Sequence, residues 1–318
     1  MKASIILPTN RPSGPMYALH SLSKQTLPGE DWELIIVDDY WEDRRIILRA
    51  VASTLGIKNL VLLKSKPNYW RSNRLIANAR NTGLIYAQGE LVVFLDDFCW
   101  APPKWLEEHW NTYKKTIYTM IGAGKAVKYI PGRFNDLDQL PPPDVGDNVE
   151  GAFIRNLAQF KVSDTRGPIS KRNCGGGWFY TMNASAPLEK IVQVNGFDEE
   201  YDLTSEEDVD LGLRLERVGC KFFYRTEYDC TVFHVDHREV DVEMKKLPKR
   251  YKEVTYDEFR KRDVLESNPD EVQLVLKEKY HVRYDGSWGL HERNRRKPPN
   301  MVNDHFNLRL KKVGSEAC

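Results

Sequence analysis

Over the first hundred residues, short apolar runs alternate with amphipathic stretches. "ASIILPT" (3–9) is an apolar run that stops at Pro8-Thr9. "WELIIVDDY" (32–40), "NLVLLKS" (59–65) and "ELVVFLDD" (90–97) repeat the pattern. Each is short, β-prone and apolar on both faces, which predicts buried strands. Between them, "YALHSLSKQ" (17–25), "RRIILRAVASTL" (44–55, before Gly56) and "RLIANARNTGLIYAQ" (74–88, before Gly89) have helical spacing. The alternation predicts an α/β fold: a mostly parallel, Rossmann-like sheet flanked by helices.

In such sheets ligands sit beyond the carboxyl ends of the strands. Pro8-Thr9, Asp38-Asp39 and Asp96-Asp97 all fall there. Adjacent carboxylates at the end of a buried strand repel each other and resist desolvation, and a cation removes that problem.

The pattern changes after about residue 130. The Pro-, Gly- and Asp-rich stretch 131–148 predicts a long surface loop. Glycines cluster in "NCGGGWFYTMNAS" (173–185). "EEDVDLGLRLERVG" (206–219) reads as an amphipathic helix closed by Gly219, and 221–237 as a final strand or pair of strands. Beyond residue 245 the chain is highly charged, with a helical stretch at 268–280 and a basic segment at 291–299.

Composition narrows the classes. The chain has 318 residues, 41% of them hydrophobic, enough for a substantial core. Lys plus Arg is 47 against 46 Asp plus Glu, so overall charge points to no extended nucleic-acid footprint. Five cysteines without a CxxC spacing speak for a reduced, cytoplasmic protein and against a zinc–cysteine site. No run approaches the length of a membrane span.

The order of "SIILPTNRP", "LIIVDDY", "ARNTGLIYAQGELVVFLDD", "PPKWLEEH", "NGFDEEYDLTSEEDVDLGLRLERVG" and "VFHVDH" resembles a family 2 glycosyltransferase of GT-A fold. The resemblance spans roughly 3–237. It implies inverting sugar transfer from a nucleotide-diphospho-sugar, a UDP-sugar foremost, with a divalent cation, Mn2+ or Mg2+. The acceptor stays open among polysaccharide, protein, lipid and modified nucleic acid, with a lipid-chain synthase disfavoured. The chain divides into a GT-A domain (1–244; nucleotide-binding half 1–110, acceptor-binding half 111–244) and a helical, basic extension (245–318).

The resemblance also assigns residues. Pro8, Thr9, Arg11, Asp38, Asp39, Arg80 and Asp96 fall where the family binds the donor. Asp208 falls on the catalytic base, with Glu207 supporting it. Gly176, Gly177, Trp178 and Glu206 fall on the acceptor side, where Trp178 offers a face for stacking on a sugar. Asp210 reads as structural. Asp97, Asp96 and His234 are the metal candidates; His237 points to the opposite strand face from His234. The family pattern at this strand end is Asp-x-Asp, but "LDDF" puts Phe98 in place of the last acid.

Two rival readings remain. A nucleotidyltransferase would carry a phosphate-binding glycine loop after the first strand, and "PTNRPSGP" fits none. A catalytically degenerate GT-A fold that binds a sugar, nucleotide or partner draws on Phe98.

Overall fold

A computed structural model describes residues 1–11, 14–65, 76–116, 119–122, 124–127, 174–198, 207–235, 280–282 and 288–290. Strands β1 (Ala3–Thr9), β2 (Trp32–Asp38), β3 (Leu60–Leu63) and β4 (Leu91–Leu95) alternate with helices α1 (Met16–Leu22), α2 (Trp41–Thr54) and α3 (Ile76–Tyr86). Then come β5 (Cys99–Trp100), α4 (Trp105–Thr116), β6 (Thr119–Gly122), β7 (Gly124–Val127), β8 (Asn183–Pro187) and α5 (Leu188–Gln193). Helix α6 (Glu207–Arg217), β9 (Phe222–Arg225) and β10 (Val232–Val235) follow, with a short pair, β11 (Tyr280–Val282) and β12 (Trp288–Leu290).

The main sheet has the order β3-β2-β1-β4-β8-β6-β9. Strands β1 to β4 are mutually parallel, in register from Ala3↔Trp32 to Thr9↔Asp38. β8 runs antiparallel to both β4 and β6, while β9 is parallel to β6, so β8 alone is reversed. A second sheet, β5-β10-β7, lies beyond the carboxyl end of β4. The mostly parallel α/β architecture is thus as expected. The stretch 221–237 does form strands, but β9 and β10 belong to different sheets and do not pair.

The period of two divides the apolar side chains between two cores. Ile5, Leu7, Leu34, Ile36, Val93 and Leu95 pack with Leu19, Leu48 and Trp105 on one face. Ile6, Ile35, Val37, Val92 and Phe94 pack with Leu84, Phe179, Phe197 and Leu211 on the other. Each fully buried large side chain contributes about 1.5–3 kcal/mol, so both helix layers are held firmly against the sheet.

Two helix ends show different uses of glycine. Gly56 closes α2 at φ 74°, the left-handed conformation that suits a helix terminus. Gly89, expected to close α3, instead permits close packing: a Cβ there would lie 2.4 Å from the Ala3 carbonyl carbon. Its N–H donates to Ser4 Oγ (2.7 Å), and Ser4 Oγ donates to buried Glu33 (2.6 Å), which fastens the turn before β4 to the first two strands.

Residues 130–172, the basic segment 291–299, Glu206 and His237 lie outside the described residues, as does the helical stretch 268–280 except Tyr280, which is in β11. Among the described residues no helix is long and apolar enough to cross a membrane.

Candidate active site

The strand order places a topological switch between β1 and β4, where α/β sheets open a crevice. The predicted polar strand ends meet there. Thr9 Oγ1 donates to Asp97 Oδ2 at 3.0 Å, and Arg11 Nη1 donates to Asp97 Oδ1 at 2.5 Å. Pro8 is a buried strand residue paired with Val37.

Asp38 and Asp39 diverge. Asp38 is fully buried, and Arg44 grips it with Nε on Oδ2 (2.6 Å) and Nη2 on Oδ1 (2.7 Å). The Tyr40 N–H adds a third bond at 2.8 Å, and Arg44 Nη1 also donates to the Arg11 carbonyl. Asp38 is therefore occupied in holding the first loop to α2. Asp39 is exposed beside the ends of β2 and β3, where Ser65 Oγ donates to it at 2.9 Å. Of the pair, Asp39 is the one open to solvent.

Phe98 adopts φ 57°, an uncommon conformation for a bulky residue. Its N–H donates to the Gly14 carbonyl at 2.8 Å, its side chain is 3% exposed, and its ring lies 6.2 Å from that of Tyr17. The backbone turn sends position 98 into the core. Gly14 must lack a side chain, because a Cβ would fall 2.4 Å from Asp97 Oδ2.

Asp96 and Asp97 suit a hard divalent cation chemically. Burial pushes the Asp97 carboxyl up to about 6, against the pull of Arg11 and with a further push from Asp96. A cation would stabilise the ionised form. His234 in β10 pairs with Cys99 across the small sheet. Among the described residues no group of three or more His, Cys, Asp or Glu is gathered to hold a metal ion. The expected trio Asp96, Asp97 and His234 is therefore not assembled as a closed site, and a cation here would draw further ligands from a diphosphate and water.

On the other side of the crevice stands the start of α6. Glu207, its first residue, accepts from Arg80 Nη1 at 2.5 Å, while Arg80 Nη2 donates to Asp96 Oδ1 at 2.9 Å. Asp208 is half-buried and accepts from the Thr181 N–H (3.2 Å) and hydroxyl (3.4 Å) and from the Val209 N–H (2.8 Å). Its carboxyl is raised to about 7, first by burial and then by the Glu207 charge, with Arg80 opposing. A carboxylate poised near neutrality is suited to proton abstraction. Asp210 is buried against Arg214 one turn on, a structural pair as expected.

The glycine cluster builds this position. Gly176 crosses α6 at Gly212 with backbone in contact, and its N–H donates to Glu216 Oε2 at 3.1 Å. Trp178 packs partly into the core, and Gly177 sits in the same short turn, Gly176–Trp178. The cluster holds the helix bearing Glu207 and Asp208, and leads directly to Thr181. Sequence reasoning missed Arg44, Thr181 and Gly14. The partners of Thr181 and Gly14 are distant in the chain, and Arg44 reaches back six residues from α2 to the end of β2, so no motif marks them.

A family model described as Glycosyl transferase family 2 matches residues 4–186. Validoxylamine A glucosyltransferase from Streptomyces hygroscopicus subsp. limoneus is 28% identical over 227 residues, covering 68% of this chain and 48% of that protein. Poly(ribitol-phosphate) beta-N-acetylglucosaminyltransferase TarP from Staphylococcus aureus is 27% identical over 170 residues, covering 51% of this chain and 49% of that protein. The chain thus spans about half the length of these curated relatives. Among solved structures, S. aureus TarS 1-349 in complex with UDP-GlcNAc superposes with TM-score 0.50 at 18% identity, covering 78% of this chain and 62% of that one. That likeness establishes the shared fold.

Proposed function

This chain belongs to glycosyl transferase family 2, and on that premise we propose that it moves a sugar from a nucleotide-diphospho-sugar to an acceptor hydroxyl, inverting the anomeric carbon. The observation that carries the reading is Asp208. It is a half-buried carboxylate raised to about 7, joined through Glu207 and Arg80 to the strand end bearing Asp96.

Asp208 takes the proton of the acceptor hydroxyl as that oxygen attacks the anomeric carbon. Asp39, beside Ser65, receives hydrogen bonds from the nucleoside, while Thr9 and Arg11 line the crevice where the diphosphate leaves. Asp96 and Asp97 would hold a divalent cation, Mn2+ or Mg2+, and that ion would supply charge neutralisation for the diphosphate. Arg11, half-exposed and paired with Asp97, is within the same strand-end cluster and offers a cation to a phosphate. The names of the relatives, a glucosyltransferase and an N-acetylglucosaminyltransferase, support a hexosyl donor, and a UDP-sugar is the donor first proposed. The same proposal keeps a GT-A domain over 1–244 and a cytoplasmic location; among the described residues Cys99 and Cys230 are buried free thiols.

The test is a panel of UDP-glucose, UDP-N-acetylglucosamine and GDP-mannose, with and without Mn2+. Melting temperature and release of nucleoside diphosphate are both followed. A donor that binds the native state raises the melting temperature. The expected result is stabilisation by one donor together with slow donor hydrolysis that Asp208→Asn removes. Stabilisation without turnover, by water or by any acceptor offered, would instead favour the degenerate, sugar-binding reading drawn from Phe98.

A further inference from the structure

Arg80 sits on α3 with its side chain almost wholly enclosed, 3% exposed. Its two terminal nitrogens serve carboxylates from opposite sides of the crevice, Glu207 at the start of α6 and Asp96 after β4. Its guanidinium carbon lies 5.5 Å from the centre of the Phe197 ring, and its Nε is buried with no hydrogen-bond partner. A guanidinium placed to grip a donor phosphate would turn its fork to the crevice. This one spends its fork on the protein and leaves Nε buried, a desolvation cost that two carboxylate partners offset.

We infer that Arg80 is a positioning residue: it ties the first turn of α6 to the donor-side strand end and acts on sugar transfer through Asp208, without touching either substrate. The inference rests on the reading of Asp208 as the base. Glu207 and Asp208 are consecutive acids, and with Asp96 they place three carboxylates around one cation. Without Arg80, Glu207 loses its counter-ion and the helix start is pushed from Asp96.

Among the described residues, the charged groups acting on Asp208 are Glu207 from its own helix and Arg80 from α3. The stretch before β8 contributes only the N–H and hydroxyl of Thr181. The two charges act with opposite sign. Glu207 favours the protonated acid and Arg80 the carboxylate, so removing each should move Asp208 in opposite directions. A purely structural strut would not produce that pair of signs.

The experiment is a pH titration of carbon-13 labelled aspartate carboxyls by NMR, with the Asp208 signal identified by its loss in Asp208→Asn. Arg80→Met is expected to raise the Asp208 pKa by at least about one unit, the scale of a lost neighbouring opposite charge. Arg80→Lys should stay near the parent, and Glu207→Gln should lower it. Calorimetry with UDP and Mn2+ on the same variants should show affinity within about threefold of the parent, because a residue that touches no donor contributes little to its binding. If Arg80→Met does not fold, Arg80→Met/Glu207→Gln is compared with Glu207→Gln alone, since the double variant leaves no unpaired charge between the two positions. The Arg80 removal must still raise the pKa. Unmoved pKa values, shifts of one sign only, or UDP affinity lost tenfold with an unmoved pKa would overturn the inference. Retained transfer by Asp208→Asn would overturn the base reading instead, and is scored separately.

Discussion

Gly176 and Gly212 cross with their backbones in contact: a Cβ on either would fall 2.0–2.1 Å from the other's carbonyl oxygen. The crossing sets how deeply α6 lies against the stretch leading to Thr181, and so where Asp208 stands. Gly212→Ala is expected to destabilise the fold by about 1–3 kcal/mol through overpacking. It should also cut donor turnover by moving α6. Gly56→Ala, at φ 74° on the opposite end of the sheet, should lower the melting temperature and leave turnover intact. Melting curves and nucleoside diphosphate release on both variants check the pair.

Asp208→Asn should lose transfer by on the order of 10²–10⁴-fold while donor binding is kept. It should also stabilise the protein at neutral pH. The folded pKa, about 7, lies above the ordinary value near 3.8, so the folded state holds the proton more tightly than the unfolded chain. The parent therefore loses stability as pH rises between those values, and the variant does not. The melting-temperature gain of Asp208→Asn is expected to be full above about pH 7 and to vanish below about pH 4. A gain that is flat across this range would show that Asp208 is not perturbed.

At the strand end, Asp97→Ala should abolish the response of activity to Mn2+, whereas Asp96→Ala should weaken UDP binding. Phe98→Asp should fold with a melting temperature well below the parent, since losing a buried phenylalanine costs about 3–5 kcal/mol. Asp tolerates the left-handed backbone at position 98 better than most residues, which returns part of that loss. Its Mn2+ response should be no weaker than the parent's. A folded Asp97→Ala with an unchanged Mn2+ titration would remove these carboxylates from the cation site.

His109 is buried with one ring nitrogen 2.9 Å from Ser185 Oγ and the other 3.0 Å from Asn183 Oδ1. Burial lowers its pKa from 6.5 to about 3, against the pull of Asn183. The folded state holds it neutral while the unfolded chain takes up a proton below about pH 6.5. Stability therefore falls as pH drops from that value toward 3. His109→Gln, less stable at pH 8 through poorer packing, should close the gap with the parent steadily between pH 6.5 and pH 5. Parallel melting curves at all pH values would refute the assignment.

Arg44→Met should be the more damaging change at the nucleotide end. It leaves Asp38 buried without its cation, a loss of about 3–5 kcal/mol. Asp39→Ala should leave the melting temperature nearly unchanged and weaken UDP binding, as measured by calorimetry. Equal loss of UDP affinity from both, with neither unstable, would put Asp38 in contact with the nucleotide.

The alternation of two-sided apolar runs with helical spacing determined the parallel α/β core, because a strand buried on both faces has no position free for a polar residue. "ASIILPT" and "ELVVFLDD" show this directly, and β1 and β4 appear where those runs lie. The same runs determined that Thr9, Asp38-Asp39 and Asp96-Asp97 share one edge, since parallel strands end together. Individual duties were decided only in three dimensions. Asp38 and Asp39 are neighbours of one residue type, and the pleat sends one inward to Arg44 and the other outward to Ser65. The left-handed turn at Phe98 points its side chain into the core, and composition carries no trace of that turn. The glycine run resembled a sugar-facing loop but supports a helix crossing, because its contact, Gly212, lies far along the chain. Pairings such as Arg80 with Glu207 join residues 127 positions apart. Local periodicity records only which face of an element is apolar. It says nothing of which distant charge that face will meet.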